Sequence, residues 1–436
     1  MTPSPRLAML AALGLPLALL GVFGRPLLAL ALAYDAAIVL LAGVDRLSAG
    51  DPHRLELARR LPPRWIQGRS DLIRLEARWT GARRGRFLVR DLPPASFDAP
   101  GARFQISLLA GRAVELAYEA VPRERGHHEF RQLAVRSMGP FGLLQRRALL
   151  DVAERAKVYP DLVSIPAREA AIGRAPRWAI GARRARASGE GREFHQLREY
   201  TSGDDVRMID WKAFARHARP AVREHRAERN QRILILIDAG RMMTILVGDR
   251  QRFDWAVQAA GRLARAALSY GDLVGLGVFS REVMARVAPA KGRGQVARIA
   301  SLLCEARSSL DEPDLGRALG TLLRGGARRT LVVVFTELAD PRAAETVVRH
   351  IGALAPRHLG LVVTLADTDL EAERALVPEG AEDAYRRVAA DELWQDSLLT
   401  EKALRSRGAL VARARADALA AHAVESYLEI KRRGRL

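Results

Sequence analysis

The sequence predicts a mixed α/β protein: a parallel doubly wound sheet, preceded by a small antiparallel β-sandwich and an N-terminal transmembrane helical hairpin. Three observations predict it. Two long apolar runs open the chain, short alternating segments follow, and from Ile233 onward unbroken apolar runs alternate with helical stretches. The boundaries are 1–48 for the hairpin, 51–165 for the sandwich, 166–232 for a charged segment and 233–436 for the α/β domain.

The hairpin is read first. Leu7 to Phe23 and Leu27 to Val44 are apolar runs, each near the length that crosses a bilayer as a helix. Gly24, Arg25 and Pro26 between them read as the turn. Arg6 precedes the first run, whereas Arg46, Arg54, Arg59, Arg60 and Arg64 follow the second. The positive-inside rule then puts both ends of the hairpin in the cytoplasm. The expected location is a bacterial inner membrane, with the soluble parts facing the cytoplasm. A signal peptide is the alternative, but the apolar stretch is too long for its h-region. Asp35 lies within the second run, where a carboxylate costs roughly 2.5–3.5 kcal/mol on insertion scales. It faces a partner helix, is protonated, marks an oligomer contact, or is reached by water; the sequence leaves these open.

From Asp51 to about Ile165, runs such as "LIRLEARW", "RFQISLLA" and "AVELAYEAV" are separated by turn residues, the pattern of a sandwich. His127 and His128 are adjacent, so on a strand they face apart and do not chelate one ion.

The α/β domain begins with "ILILID", Ile233 to Asp238. "DLVGLGVFS", "TLVVVFTE" and "LGLVVTLAD" follow as further buried strands, with helices between them. Ligands of such sheets bind at the carboxyl ends of the strands, where Asp238, Glu337 and Asp367 fall. "GALVAR" is expected as a last strand and "ADALAAHAVESYLEIKRRG" as an amphipathic helix whose Lys431, Arg432 and Arg433 suit its C-terminus. Cys304, the only cysteine, sits at helical apolar spacing and reads as a buried structural thiol.

Composition narrows the partners. The chain has 436 residues and a net charge of +20. That excess points to an anionic partner, a membrane surface or nucleic acid. Acidic residues are interspersed throughout and no nucleic-acid motif is present, so nucleic acid is not expected.

The segment "GREFHQLREYTSGDDVRMIDWKAFAR" concentrates charge. Arg192, Glu193, Arg198, Glu199, Asp204, Asp205, Arg207 and Asp210 suit mutual pairing, and Gly203 sits in a Ser-Gly-Asp turn with Asp204 or Asp205 as a helix cap. Phe194, Tyr200 and Trp211 are apolar anchors. A polar brace that docks the segment on the sheet is the leading reading, a protein-binding surface the second and a hydrolytic carboxylate site the third. His195 stands alone and reads as a surface or brace residue.

The strand that ends at Asp238 resembles the first strand of a von Willebrand factor A domain. Such domains carry an Asp-x-Ser-x-Ser cation site there, but this chain reads "DAGRM". Asp238 is kept, while Gly240 and Met242 stand where hydroxyls belong. Glu337 replaces the usual later Asp, and Asp314 is a further candidate oxygen donor. A hard divalent cation needs a full set of oxygen ligands, so Mg²⁺ or Ca²⁺ is not expected and no other cofactor is implied.

Taken with "YEAVPRERG", "GPFGLL", "VYP" and the segment from Gly191 to Trp211, the whole chain is similar to the domain of unknown function 58 family. That resemblance implies a membrane-anchored, non-enzymatic interaction scaffold. It also implies as partners a MoxR-type AAA+ ATPase and other von Willebrand A-like proteins, acting in assembly or maturation of protein complexes. A metal-dependent adhesion module and a carboxylate-based hydrolase are the alternatives.

Overall fold

A computed structural model describes residues 2–162, 188–199, 211, 214, 221–226, 231–324, 328–338, 341–366 and 368–435. The chain divides into two compact units, Met1–Tyr159 and Pro160–Leu436.

The first unit opens with helices α1 (Pro5–Leu20) and α2 (Arg25–Ser48). Helix α2 is long and apolar enough to cross a membrane. Helix α1 has 16 residues. At 1.5 Å per residue it spans about 24 Å, short of the ~30 Å hydrocarbon core, so the two expected spans are unequal. The chain leaves α1 through a single 3-10 turn, Gly21–Phe23. Arg25 and Pro26 open α2 and are not the turn itself, because proline's fixed φ suits a first helical position. The helices touch closely: Tyr34 donates to the Leu10 carbonyl at 2.8 Å, and a Cβ at Gly14 would meet the Tyr34 ring at 3.0 Å. Their outer faces show leucine, with Leu13, Leu19 and Leu40 all exposed. Leucines displayed all round a helix pair suit hydrocarbon and not water.

Seven main strands build the sandwich: β1 (Leu55–Arg60), β2 (Asp71–Trp79), β3 (Gly85–Asp91), β4 (Arg103–Leu108), β5 (Ala113–Pro122), β6 (Gly126–Met138) and β7 (Leu144–Tyr159). One sheet runs β7-β6-β3-β4 and the other β1-β2-β5, all antiparallel. Every second residue of β2, from Ile73 to Trp79, is buried, and Phe87, Phe130, Leu133 and Val135 of the opposite sheet join the same core. Arg59 does not serve as a flanking charge for the hairpin. It is buried and grips Asp91 with two bonds, Nε at 2.9 Å and Nη2 at 2.6 Å. Tyr118 donates to the same carboxylate at 2.7 Å. Burial and the neighbouring Asp91 charge hold the Tyr118 phenol above its ordinary range. His127 is exposed, whereas His128 Nδ1 lies 2.8 Å from the Ser96 hydroxyl.

In the second unit, β8 (Ser188–Glu199) pairs antiparallel with β9 (Ala221–Arg226). The main sheet has six strands: β10 (Arg232–Asp238), β11 (Leu273–Phe279), β12 (Val283–Ala290), β13 (Thr330–Phe335), β14 (Leu359–Leu365) and β15 (Leu410–Ala414). Their order is β12-β11-β10-β13-β14-β15. The sheet is parallel except for β12, which turns back antiparallel on β11. That edge strand was not expected from sequence, because "VMARVAPA" is short, half-exposed and carries Pro289. Proline is tolerated there because an edge strand leaves one row of N–H groups unneeded.

Helices cover both faces. Ile233, Ile235 and Ile237 of β10 face α3 (Arg252–Ser269), α4 (Arg293–Glu305) and α9 (Leu419–Arg432). Leu234 and Leu236 face α5 (Leu315–Leu322) and α6 (Pro341–Leu354). The remaining helices are α7 (Thr368–Ala375) and α8 (Ala381–Ser406). With both faces covered, the strands need apolar residues at every position, which is why they read as unbroken runs. Cys304 is buried in α4.

Candidate functional site

The carboxyl ends of β10 and β13 bring Asp238, Thr336 and Glu337 together. Asp238 is 3% exposed. Its Oδ1 accepts from the Gly240 backbone N–H at 2.7 Å and its Oδ2 from the Thr336 hydroxyl at 2.6 Å. Burial pushes its pKa up to about 6. The two hydrogen bonds pull it down, and the carboxylates of Glu337 and Glu312 add a smaller upward push.

The two acids line different hollows. Thr336, just past the end of β13, turns towards Asp238, whereas Glu337 does not share its cleft. Asp238 and Thr336 line a cleft of about 210 Å³ with Glu312, Pro313 and Thr346. Glu337 lines a different concavity of about 460 Å³ with Met242, Arg252, Leu370 and Trp394. Glu337 is buried there and ion-paired with Arg252 Nη1 at 3.4 Å, while its Oε1 accepts from the Leu338 N–H at 2.8 Å.

The loop after α4 explains the glycine in "DAGRM". Gly240 packs so tightly on Pro313 that a Cβ would lie 2.7 Å from its Cδ. Ser309 N donates to the Ala239 carbonyl at 2.6 Å and Arg241 N to the Asp311 carbonyl at 3.0 Å, which ties this loop over the strand end. Any side chain at Gly240, a serine included, meets Pro313. Met242 is half-buried and faces the larger concavity.

Asp314, expected as an oxygen donor beside Asp238, is placed elsewhere. It is the N-cap of α5 and accepts from the Arg317 N–H at 2.8 Å. Its neighbour Glu312 reaches the cleft and pairs with Arg241. Asp367 lies outside the described residues.

The charged segment is described only in part. Gly191, Glu193, Phe194, Arg198 and Glu199 lie along β8, with Glu193 opposite Arg226 and Leu197 opposite Arg223 in the backbone register. A strand was not expected there. Tyr200, Gly203, Asp204, Asp205, Arg207 and Asp210 lie outside the described residues. Trp211, expected as an apolar anchor, is 62% exposed and meets the Phe214 ring edge-on at 6.1 Å.

The opposite end of the sheet holds groups the sequence did not single out. Asp272, just before β11, is fully buried. Lys431 Nζ reaches both of its oxygens, at 2.7 and 2.6 Å. Tyr427 donates at 2.6 Å and the Gln231 N–H at 3.2 Å. Lys431 is therefore an internal counter-ion, buried and not an exposed charge at the end of α9.

Residues 196–385 match the family described as "Protein of unknown function DUF58". That stretch contains Asp238, Glu337 and much of the charged segment. Curated relatives include uncharacterized proteins of Mycobacterium bovis and Mycobacterium tuberculosis, each 28% identical over 182 residues, which is 41% of this chain and 56% of theirs. The chain thus spans about half the length of the curated relatives it matches. Among solved structures, native alpha-2-macroglobulin from Escherichia coli matches with a TM-score of 0.21 and 13% identity, over 24% of this chain and 16% of that one.

Proposed function

We propose, from the premise that this chain belongs to the DUF58 family over residues 196–385, that it is a membrane-anchored, non-enzymatic interaction scaffold. The α/β unit is read as a von Willebrand A-like domain with a degenerate cation site. One observation carries this reading: both Asp238 oxygens are engaged by Gly240 and Thr336, and Glu337 faces a separate concavity beside Arg252. A Mg²⁺ or Ca²⁺ ion needs several oxygens converging on one point. The residues present do not fit one, because Gly240 has no side chain, Pro313 fills its place and Asp314 caps α5.

In this reading α2 is the anchor, which its length and apolar composition support, and Arg46, Arg54, Arg60 and Arg64 after it favour the cytoplasmic side for the soluble parts. The bacterial inner membrane is the location proposed. The partner is a MoxR-type AAA+ ATPase, on the family resemblance, with complex assembly or maturation as the process. Exposed Trp211 favours a contact role for the charged segment over a purely internal brace. Nucleic acid and catalysis have no part in this reading.

The test is calorimetric titration of the detergent-solubilised chain with Mg²⁺, paired with cross-linked pull-down from native membranes. The expected result is no stoichiometric Mg²⁺ heat, and ATPase recovery that survives Asp238→Asn. Stoichiometric Mg²⁺ binding that Asp238→Ala abolishes would replace the scaffold with a metal-dependent adhesion module.

A further inference from the structure

The turn between β6 and β7 receives both inner ends of the helical hairpin. Asp45, at the end of the apolar stretch of α2, is fully buried. It accepts from the backbone N–H groups of Phe141 at 2.8 Å, Leu144 at 3.3 Å and Leu143. Gly139 leaves room for it: a Cβ there would collide with the Asp45 carboxylate. Gly142 adopts φ +68, which lets the turn curl its amides around the acid. On the other helix, the Ser4 N–H donates to the Leu143 carbonyl at 2.9 Å, and Thr2 and Pro3 pair with Gln145 and Leu144 of β7.

This clamp holds the Gly139–Leu143 turn within hydrogen-bond reach of the point where α2 leaves its apolar stretch. Phe141, in the middle of the turn, is 45% exposed, and Leu47 beside the clamp is also exposed. Two guanidinium groups lie at the turn, and a third lies at the end of α2. Arg6 Nη1 lies 3.5 Å from where a Gly142 Cβ would stand. Arg86 donates to the Pro140 carbonyl at 3.2 Å and Arg146 to the Arg46 carbonyl at 3.3 Å. Backbone amides, not these guanidiniums, hold the Asp45 carboxylate. The arginines keep further donors for an outside anion, and the guanidinium fork matches phosphate.

We propose that the Gly139–Leu143 turn is a second membrane contact: Phe141 seats among the headgroups of the bilayer that α2 crosses, and Arg6, Arg86 and Arg146 bind the phosphates of anionic phospholipids around it. Aromatic rings favour this interfacial depth, and basic side chains favour an anionic leaflet. The contact rests on the reading of α2 as a membrane span. It adds a fixed orientation of the sandwich to the bilayer, which an anchor on a flexible tether would not impose.

Environment-sensitive fluorescence tests it on the full chain. Cys304 is buried, so an introduced thiol at Phe141→Cys is labelled selectively, with wild type as the blank. The clamp uses the backbone N–H of residue 141, so this substitution leaves it in place. The label is compared in vesicles of phosphatidylcholine alone and of phosphatidylcholine mixed with phosphatidylglycerol, beside a Leu40→Cys label within α2. The expected result is blue-shifted emission at position 141, larger with phosphatidylglycerol. The added shift should be lost when Arg6, Arg86 and Arg146 are all changed to Gln. Water-like emission at 141 beside a blue-shifted Leu40→Cys label overturns the contact and leaves the anchor standing. Water-like emission at both positions overturns anchor and contact together. A shift at 141 that ignores lipid charge and the arginine changes overturns the phospholipid assignment.

Discussion

The two ends of the six-stranded sheet each hold a buried aspartate, and they treat it differently. At the amino end, Asp272 has a full complement of partners: Lys431, Tyr427 and the Gln231 N–H. At the carboxyl end, Asp238 has a hydroxyl and an amide but, among the described residues, no cation, and it borders a cleft. A buried carboxylate stays ionised readily when a counter-ion touches it and reluctantly when only neutral donors do. The closed end is therefore structural. The open end is where proton uptake changes the charge of a buried group, because the Asp238 pKa is raised to about 6 beside a cleft.

The largest test of this contrast removes the counter-ion at the closed end. Lys431→Met leaves Asp272 buried with neutral donors alone and is expected to cost about 3–5 kcal/mol, read by urea unfolding. Burial holds the Tyr427 phenol above its ordinary range, with Asp272 adding to the shift, so Tyr427 stays a neutral hydrogen-bond donor that cannot balance the Asp272 charge.

Next is pH dependence at the open end. The Asp238 pKa is raised from 3.8 to about 6, so the folded protein holds a proton that the unfolded chain has released. Between those values stability falls as pH rises, and above about 6 the cost is fully present, roughly 2–3 kcal/mol. Asp238→Asn can keep both hydrogen bonds and carries no charge. Its stability profile is expected to lack that decline between pH 4 and 7. A parallel decline in variant and wild type would remove Asp238 as the cause.

A smaller effect is expected at Gly240. Gly240→Ser drives a side chain against Pro313 and should cost about 1–3 kcal/mol by overpacking, seen as a lower melting temperature that Mg²⁺ does not restore. Rescue by Mg²⁺ would mean that one hydroxyl is enough to rebuild a cation site, and the contrast between the two ends would shrink to a single residue.

How far the sequence could be read follows the range of the interactions. The strands β10, β11, β13 and β14 were legible because a sheet covered on both faces leaves unbroken apolar runs. The sandwich was legible from alternation alone, as β2 illustrates. Strand β12 escaped because its pattern is short and Pro289 argued against it. At the site, Asp238 could be placed at a strand end, but Glu337 lies past the end of β13, where alternation no longer fixes the side a residue faces. The partners of Asp272 left no local trace at all: Lys431 lies 159 residues further along and looked like a helix-end charge. Arg59 looked like a membrane flank for the same reason, since Asp91 is 32 residues away. Asp45 stood in plain view beyond the second apolar run, but only the folded turn at 139–144 shows what it binds.

The 159-residue gap between Asp272 and Lys431 also sets a schedule. At roughly 5–20 residues per second, the ribosome makes Lys431 about 8–32 seconds after Asp272. Throughout that interval strand β11 exists without the ammonium group that neutralises Asp272, and without the helix that completes this face of the core. One face of the sheet therefore lacks the cover of α9 during that interval, and its apolar strands stay exposed until residues 419–432 are made.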